Sequence, residues 1–193
     1  MKLSTAYLIV IIFLSAQFLL TEKSNAQDKG IYLGGSLQGA AWNIPDQDVD
    51  TESGAGISLE FGYNFNTNFA LFLGLDGANI NPDVGDNYGL GHFDIGAEGR
   101  IGNSESKFRP FGRISYLGMA AVQNNQSGDV EISGAGFGLG AGLYYYLTDN
   151  LALKTGFTKS WVNISEVKIG SESVSVDENA ESSRFNLGIS YHY

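Results

Sequence analysis

Along most of this chain large apolar side chains fall on every second residue, and the residues between them are polar or small. The last ten show it most plainly. Phe185, Leu187, Ile189, Tyr191 and Tyr193 share one parity, while Arg184, Asn186, Gly188, Ser190 and His192 share the other. Side chains of a β-strand alternate between two faces, so a period of two predicts a strand with one greasy and one polar side. The same period predicts eight strands, at residues 31–42, 54–65, 69–79, 92–102, 111–122, 132–147, 151–161 and 183–193. In the second, Ile57, Leu59, Phe61, Tyr63 and Phe65 form the apolar face; in the third, Phe69, Leu71, Leu73 and Leu75 do. A strand of ~10 residues tilted by ~45° spans about 24 Å, the height of a membrane's apolar band.

The connections alternate in length. Long polar stretches cover 43–53, 80–91, 123–131 and 162–182, and brief ones cover 66–68, 103–110 and 148–150. Two brief turns read as copies, Asn66-Thr67-Asn68 before Phe69-Ala70-Leu71 and Thr148-Asp149-Asn150 before Leu151-Ala152-Leu153. Upstream of the strands, Met1-Lys2 precedes an apolar run over residues 6–20, and Ser24-Asn25-Ala26 follows. That order predicts a secretory signal peptide over 1–26, cut after Ala26 and leaving 27–193 as one domain. The run is shorter than the ~20 residues a spanning helix needs.

A strand that ends a chain on an aromatic resembles the C-terminal strand of bacterial outer-membrane β-barrels. The whole of 27–193, with eight alternating strands and long and short connections in turn, resembles the small eight-stranded barrels of the OmpA transmembrane-domain and OmpX type. The resemblance implies an all-β, antiparallel, up-and-down transmembrane β-barrel in the outer membrane, with short turns and both termini on the periplasmic side. It implies an assembly signal at Phe185, Leu187, Ile189, Tyr191 and Tyr193, read by the barrel-assembly machinery. It also implies contact with outer-membrane lipids, lipopolysaccharide included, and a monomer. The anchoring role of full-length OmpA proteins, which rests on a peptidoglycan-binding domain, is not expected to carry over.

Composition narrows the chemistry. There are 26 glycines, 10 tyrosines and 12 phenylalanines but 3 prolines, which suits closely packed strands. The chain has no cysteine, so thiol chemistry, disulfides and a lipidated N-terminal cysteine are excluded. Its net charge of -10 becomes -11 once Lys2, Lys23 and Glu22 leave with the signal. Nucleic-acid binding needs a basic footprint and is not expected.

Charge sorts by parity. Glu60, Asp76, Asp94, Glu98, Arg100, Arg113, Lys154 and Arg184 fall on the inward side, four acids against four bases. Eight-stranded barrels are filled by side chains, and charges buried there persist when paired, so these residues predict a lumen salt-bridge network. The alternative is a gated ion path. Surplus acid gathers in the long connections, with Asp46, Asp48, Asp50 and Glu52 in the first, Asp83 and Asp86 in the second and Asp129 and Glu131 in the third. The fourth holds Glu166, Glu172, Asp177, Glu178 and Glu181 against Lys168. Such a crown suits a solvated face, a site for divalent cations shared with lipid phosphates, or a surface for a basic partner. Lys159, outward near that rim, is placed to snorkel to lipid phosphates. Arg109 is expected in a periplasmic turn.

Other motifs weaken on inspection. The Asp46-x-Asp48-x-Asp50 run lacks the sixth-position glycine and twelfth-position acid of an EF-hand. Glycines 134, 136, 138, 140 and 142 recur only at even offsets, unlike a dinucleotide fingerprint. They predict a glycine stripe on the lumen side of the sixth strand, with room for Arg113, Lys154, Tyr144 or Tyr146. His92 and His192 are expected at opposite rims, with His92 as a surface polar group and no visible nucleophile. No catalytic, cofactor-binding or metal-binding residues are therefore assigned. Val167-Lys168-Ile169 and Val174-Ser175-Val176 alternate around 170–173, which predicts a small hairpin beyond the membrane. The expected function is a non-enzymatic role in envelope integrity or surface interaction. The rivals are a small-solute channel or uptake barrel, a lipid-modifying barrel enzyme and a soluble lipocalin-type barrel.

Overall fold

The alternation closes on itself. In the computed structural model, eight antiparallel strands in chain order form a closed barrel. They are β1 (Gly30–Asn43), β2 (Glu52–Asn66), β3 (Phe69–Ile80), β4 (Tyr88–Arg100), β5 (Phe108–Gln123), β6 (Val130–Tyr146), β7 (Leu151–Ile169) and β8 (Glu172–His192). The structure describes residues 29–45, 51–82, 85–123 and 129–193. The expected signal peptide with its cut after Ala26, and Asp46, Asp48, Asp50 and Asp83, lie outside the described residues. The terminal strand is the closing one. β8 pairs with β1 from Tyr32↔His192 to Asn43↔Glu181, and the Tyr193 N–H donates to the Ile31 carbonyl at 2.9 Å.

Parity sorts the two faces as expected. Leu37, Ile57 and Leu59 are 71%, 63% and 61% exposed on the outside, whereas Glu60, next along the chain from Leu59, turns into the lumen. A water-soluble protein would not display so wide an apolar girdle. Tyr63, Phe65, Phe69, Phe108, Tyr145, Tyr191 and Tyr193 ring the end that carries the short turns, here the lower end, in edge and stacked pairs. Tyr116, Phe137 and Trp161 mark the opposite, upper edge of the band. Aromatic belts at both interfaces are the signature of a barrel that crosses a membrane.

The two copied turns share one mechanism. Asn66 Oδ1 accepts from the N–H groups of Asn68 and Phe69 at 2.9 Å each, and Thr148 Oγ1 accepts from those of Asn150 and Leu151 at 3.3 and 3.0 Å. These are side-chain mimics of a backbone turn. The third residue then reaches the neighbouring strand: Asn68 Nδ2 donates to the carbonyls of Arg100 and Gly102, and Asn150 Nδ2 to that of His192.

The strands are longer than the apolar pattern alone predicts. β4 begins at Tyr88, and β5 begins at Phe108, which takes Arg109 out of the expected turn and into the wall. Most of 162–182, read from sequence as a long connection, is strand. β7 and β8 pair up to Ile169↔Glu172, with a bulge between Ile164 and Glu166, and turn at Gly170, whose φ of 60° favours glycine. The expected hairpin therefore exists as the continuation of both strands. Above the membrane no greasy face is needed, so backbone pairing goes on where the apolar signal stops.

The glycine stripe of β6 divides the work between its members. A Cβ on Gly136 would meet the Trp161 carbonyl oxygen at 1.9 Å, so β7 can approach only because that atom is missing. Gly140 leaves room for the Arg113 stem and Gly142 for the Phe111 ring, not for Lys154, Tyr144 or Tyr146. Gly136→Ala should cost about 1–3 kcal/mol of stability through overpacking. Gly77→Ala, where nothing lies within 4 Å, should leave stability unchanged or slightly raised. Urea titration of the barrel folded into lipid vesicles measures both.

Candidate functional site

The candidate site is the lumen, built in layers from top to bottom. Its roof is apolar. Ala40, Trp42, Ile80, Leu90, Met119 and Ile164 are buried in one cluster across the upper end. Above them the Trp42 indole N–H donates to the Tyr88 hydroxyl, which donates in turn to the Glu52 carboxylate.

Beneath the roof lies the first charge cluster. Arg184 Nη1 meets Asp76 and Asp94 at 2.6 Å each, and its Nη2 reaches Asp94 Oδ1 at 3.1 Å and Ser160 Oγ at 3.2 Å. Ser115 donates to Asp94 at 2.8 Å and Gln38 to Asp76 at 2.9 Å. His92, expected at the surface, is buried here: its Nδ1 lies 2.8 Å from Asp76 Oδ1 and its Nε2 lies 3.1 Å from Ser182 Oγ. Ser182, His92 and Asp76 thus reproduce the order of a nucleophile, base and acid relay. A hydrolytic serine must reach its substrate, yet Ser182 is 0% exposed under the apolar roof. In this position the hydroxyl fixes the imidazole, and the imidazole satisfies a carboxylate oxygen.

The second cluster lies lower. Arg113 Nη1 meets Glu60 at 2.8 Å and its Nη2 meets Glu98; Lys154 meets Glu60 and stands 3.6 Å from Glu98. Arg100 Nε reaches Glu98 at 2.7 Å and its Nη1 reaches Asn64 at 2.9 Å. Rings supply the rest of the surroundings, with Arg113 over Phe72 at 4.4 Å and Arg100 over Tyr144 at 4.6 Å. All eight inward charges read from the sequence enter one of these two clusters. Between them is a cavity of about 60 Å³, bordered by Ser36, Ser58, Thr158 and Asn186, polar and roomy enough to hold ordered water.

The floor is aromatic. Tyr32 stacks on His192 at 5.2 Å, and Tyr144 and Tyr146 flank the same imidazole. His192 is fully buried, bonded to Asn64 at 3.0 Å and Ser190 at 3.2 Å, and is not a rim residue. Arg109 is fully buried as well, its guanidinium 4.7 Å from the Tyr146 ring centre. It is a fifth inward base, beside the four read from the sequence. The apolar run of β5 starts only at Phe111, which hides Arg109 from the sequence pattern, although Arg109, Phe111 and Arg113 share one parity.

On the upper rim the described acids sit mainly on strand ends. Lys159 does not reach for lipid; it pairs with Glu181 at 2.6 Å. Lys168 pairs with Glu166 at 3.2 Å in the hairpin. Among the described residues no group of three or more His, Asp or Glu is arranged to hold a metal ion.

Comparison with known proteins agrees with this architecture. A family model described as outer membrane protein beta-barrel domain matches residues 6–193. The crystal structure of Neisserial surface protein A superposes with a TM-score of 0.69 at 15% identity, covering 85% of this chain and 97% of that one. Ail, the attachment invasion locus protein of Yersinia pestis, gives 0.58 at 13%, covering 86% and 99%. The outer membrane protein OprG of Pseudomonas aeruginosa gives 0.55 at 12%, covering 89% and 99%. No curated protein matches the chain at a significant level. Identities this low speak for a shared fold.

Arg184→Ala would strand two carboxylates in the lumen and should cost roughly 3–5 kcal/mol, read by urea titration in vesicles. Adding Asp76→Asn and Asp94→Asn to it should recover most of that loss. In the hairpin, outside the membrane, the Ser173 hydroxyl and then the Lys168 ammonium hold the Glu166 carboxyl below its usual range. A carboxyl lowered on folding stabilises the hairpin above its unfolded pKa and loses that contribution as pH falls through the lower folded value. Carboxyl-carbon NMR titration should show Ser173→Ala moving Glu166 back up towards an ordinary glutamate.

Proposed function

This chain belongs to the outer membrane protein beta-barrel domain family and resides in the bacterial outer membrane, and on that premise we propose a sealed, non-enzymatic barrel that serves envelope integrity or surface interaction through an acidic rim. One observation carries this reading. The lumen has an apolar roof, an aromatic floor and paired charges between them, and its cavity of about 60 Å³ is far below the several hundred Å³ of a typical ligand pocket. What is left to meet the outside is the upper rim. There Glu52, Asp86, Asp129, Glu131 and the acids of the β7–β8 hairpin outnumber Lys159 and Lys168, each of which already holds a carboxylate.

Such a rim draws basic partners by long-range attraction and meets lipid phosphates through divalent cations. The outward row Phe185, Leu187, Ile189, Tyr191 and Tyr193 suits recognition by the assembly machinery, since it is presented on the strand that closes the barrel. The Ser182–His92–Asp76 relay favours one rival reading, a hydrolytic barrel, and is the reason to test for it.

In planar bilayers the purified barrel should give no unitary conductance steps; steady steps would establish a channel. A fluorophosphonate probe should leave Ser182 unlabelled, whereas a covalent adduct there would establish a hydrolase. Glu52→Gln with Asp86→Asn and Glu131→Gln should lower polylysine binding to barrel-bearing vesicles at low salt. Unchanged binding would remove the acidic rim from the proposal.

A further inference from the structure

The upper part of β8 is paired on one side. Its ladder with β7 begins at Ile169↔Glu172, but its ladder with β1 begins only at Asn43↔Glu181. Among the described residues nothing pairs with Glu172 to Ala180 on that flank. β7 differs, since Ile169 faces Val130 of β6 on one side and Glu172 of β8 on the other. Among the described residues the sheet therefore rises highest along β6, β7 and β8 and ends there in an open strand edge.

An open edge presents a row of backbone N–H and C=O groups that another strand can complete. Within hydrocarbon such a row would be prohibitively costly, so this part of β8 belongs above the membrane, where a partner can reach it. Charge then selects the occupant. The ion pairs of this hairpin among the described residues are Glu166–Lys168 and Lys159–Glu181, which leave Glu172, Asp177 and Glu178 without a basic partner. A second copy of the edge would bring the same three carboxylates and be repelled, because like charges on facing strands are destabilising. A strand carrying lysine or arginine would be attracted. Val174, 59% exposed, supplies an apolar spot between the acids.

We propose that the edge of β8 from Glu172 to Ala180 takes up an extended basic peptide segment as an additional strand. The inference rests on the surface-interaction reading above and adds to it the partner's conformation and charge.

The probe is a synthetic peptide of alternating lysine and valine, measured against the full barrel in lipid nanodiscs by fluorescence anisotropy. The control is the same peptide with its central backbone amides N-methylated, which keeps the charge and removes the hydrogen bonds. The expected result is at least tenfold weaker binding of the methylated peptide, with slowed hydrogen exchange at residues 173–180 in the presence of the unmodified one. Glu172→Gln with Asp177→Asn and Glu178→Gln should weaken the unmodified peptide about tenfold, in a variant whose heat-dependent gel shift shows it folded. Equal binding of both peptides would overturn strand addition while leaving the acidic rim standing. Binding of neither peptide would overturn the inference, and the polylysine experiment then decides the rim separately. Edge-to-edge dimers of the barrel would overturn the choice of occupant.

Discussion

Closure of the backbone ladder is the constraint from which the rest of this molecule follows. Hydrocarbon offers no partner for an N–H or a carbonyl, so each strand that crosses it must be bonded on both flanks. β1 and β8 meet that demand by pairing along nearly the whole of β1, from Tyr32 to Asn43. Once the ring is closed, alternation leaves no freedom: one parity faces lipid and the other faces a narrow enclosed volume. A register slip of one residue on β2 would exchange Leu59 for Glu60 in the membrane.

The enclosed volume explains the unusual interior. A water-soluble domain hides most of its apolar groups inside, whereas here many line the outer wall, and the interior between an apolar roof and an aromatic floor is left to charges, amides and phenols. Such groups are tolerated when each finds a partner. Glu60 and Glu98 are shared by several cations, and Asp76 and Asp94 converge on Arg184. The apolar roof and aromatic floor shield both clusters from bulk water. They also strengthen each pair, because attraction grows as the local dielectric falls.

Parity was legible in the sequence; register was not. All eight inward charges could be placed on the correct face because a period of two says which side a residue takes. It does not say which residues meet across the lumen. Glu60 on β2 finds Arg113 on β5 and Lys154 on β7, contacts fixed by the stagger of strands around the ring. The same gap hid the link from His92 to Ser182, since these residues stand on opposite walls. Strand ends escape the pattern for a different reason. Apolar residues mark where lipid begins and ends, so Arg109, which lies beyond the greasy run of β5, and the polar upper part of β7 and β8 look like connection in the sequence. Parity with Arg113 and with Arg184 could have brought Arg109 and His192 inside.

The tall acidic hairpin has a consequence for how the protein reaches its final position. Glu172, Asp177 and Glu178 sit at the far end of the last strand, and the residues that anchor that strand in lipid follow them in the chain. Carrying each carboxylate through the middle of a bilayer is unfavourable by something on the order of 1–3 kcal/mol. A lone β7–β8 hairpin threading through fluid lipid would face all three penalties together. A hydrated passage, such as the interior of a still-open cylinder, would spare those side chains that cost until β8 zips against β1 and shuts the seam.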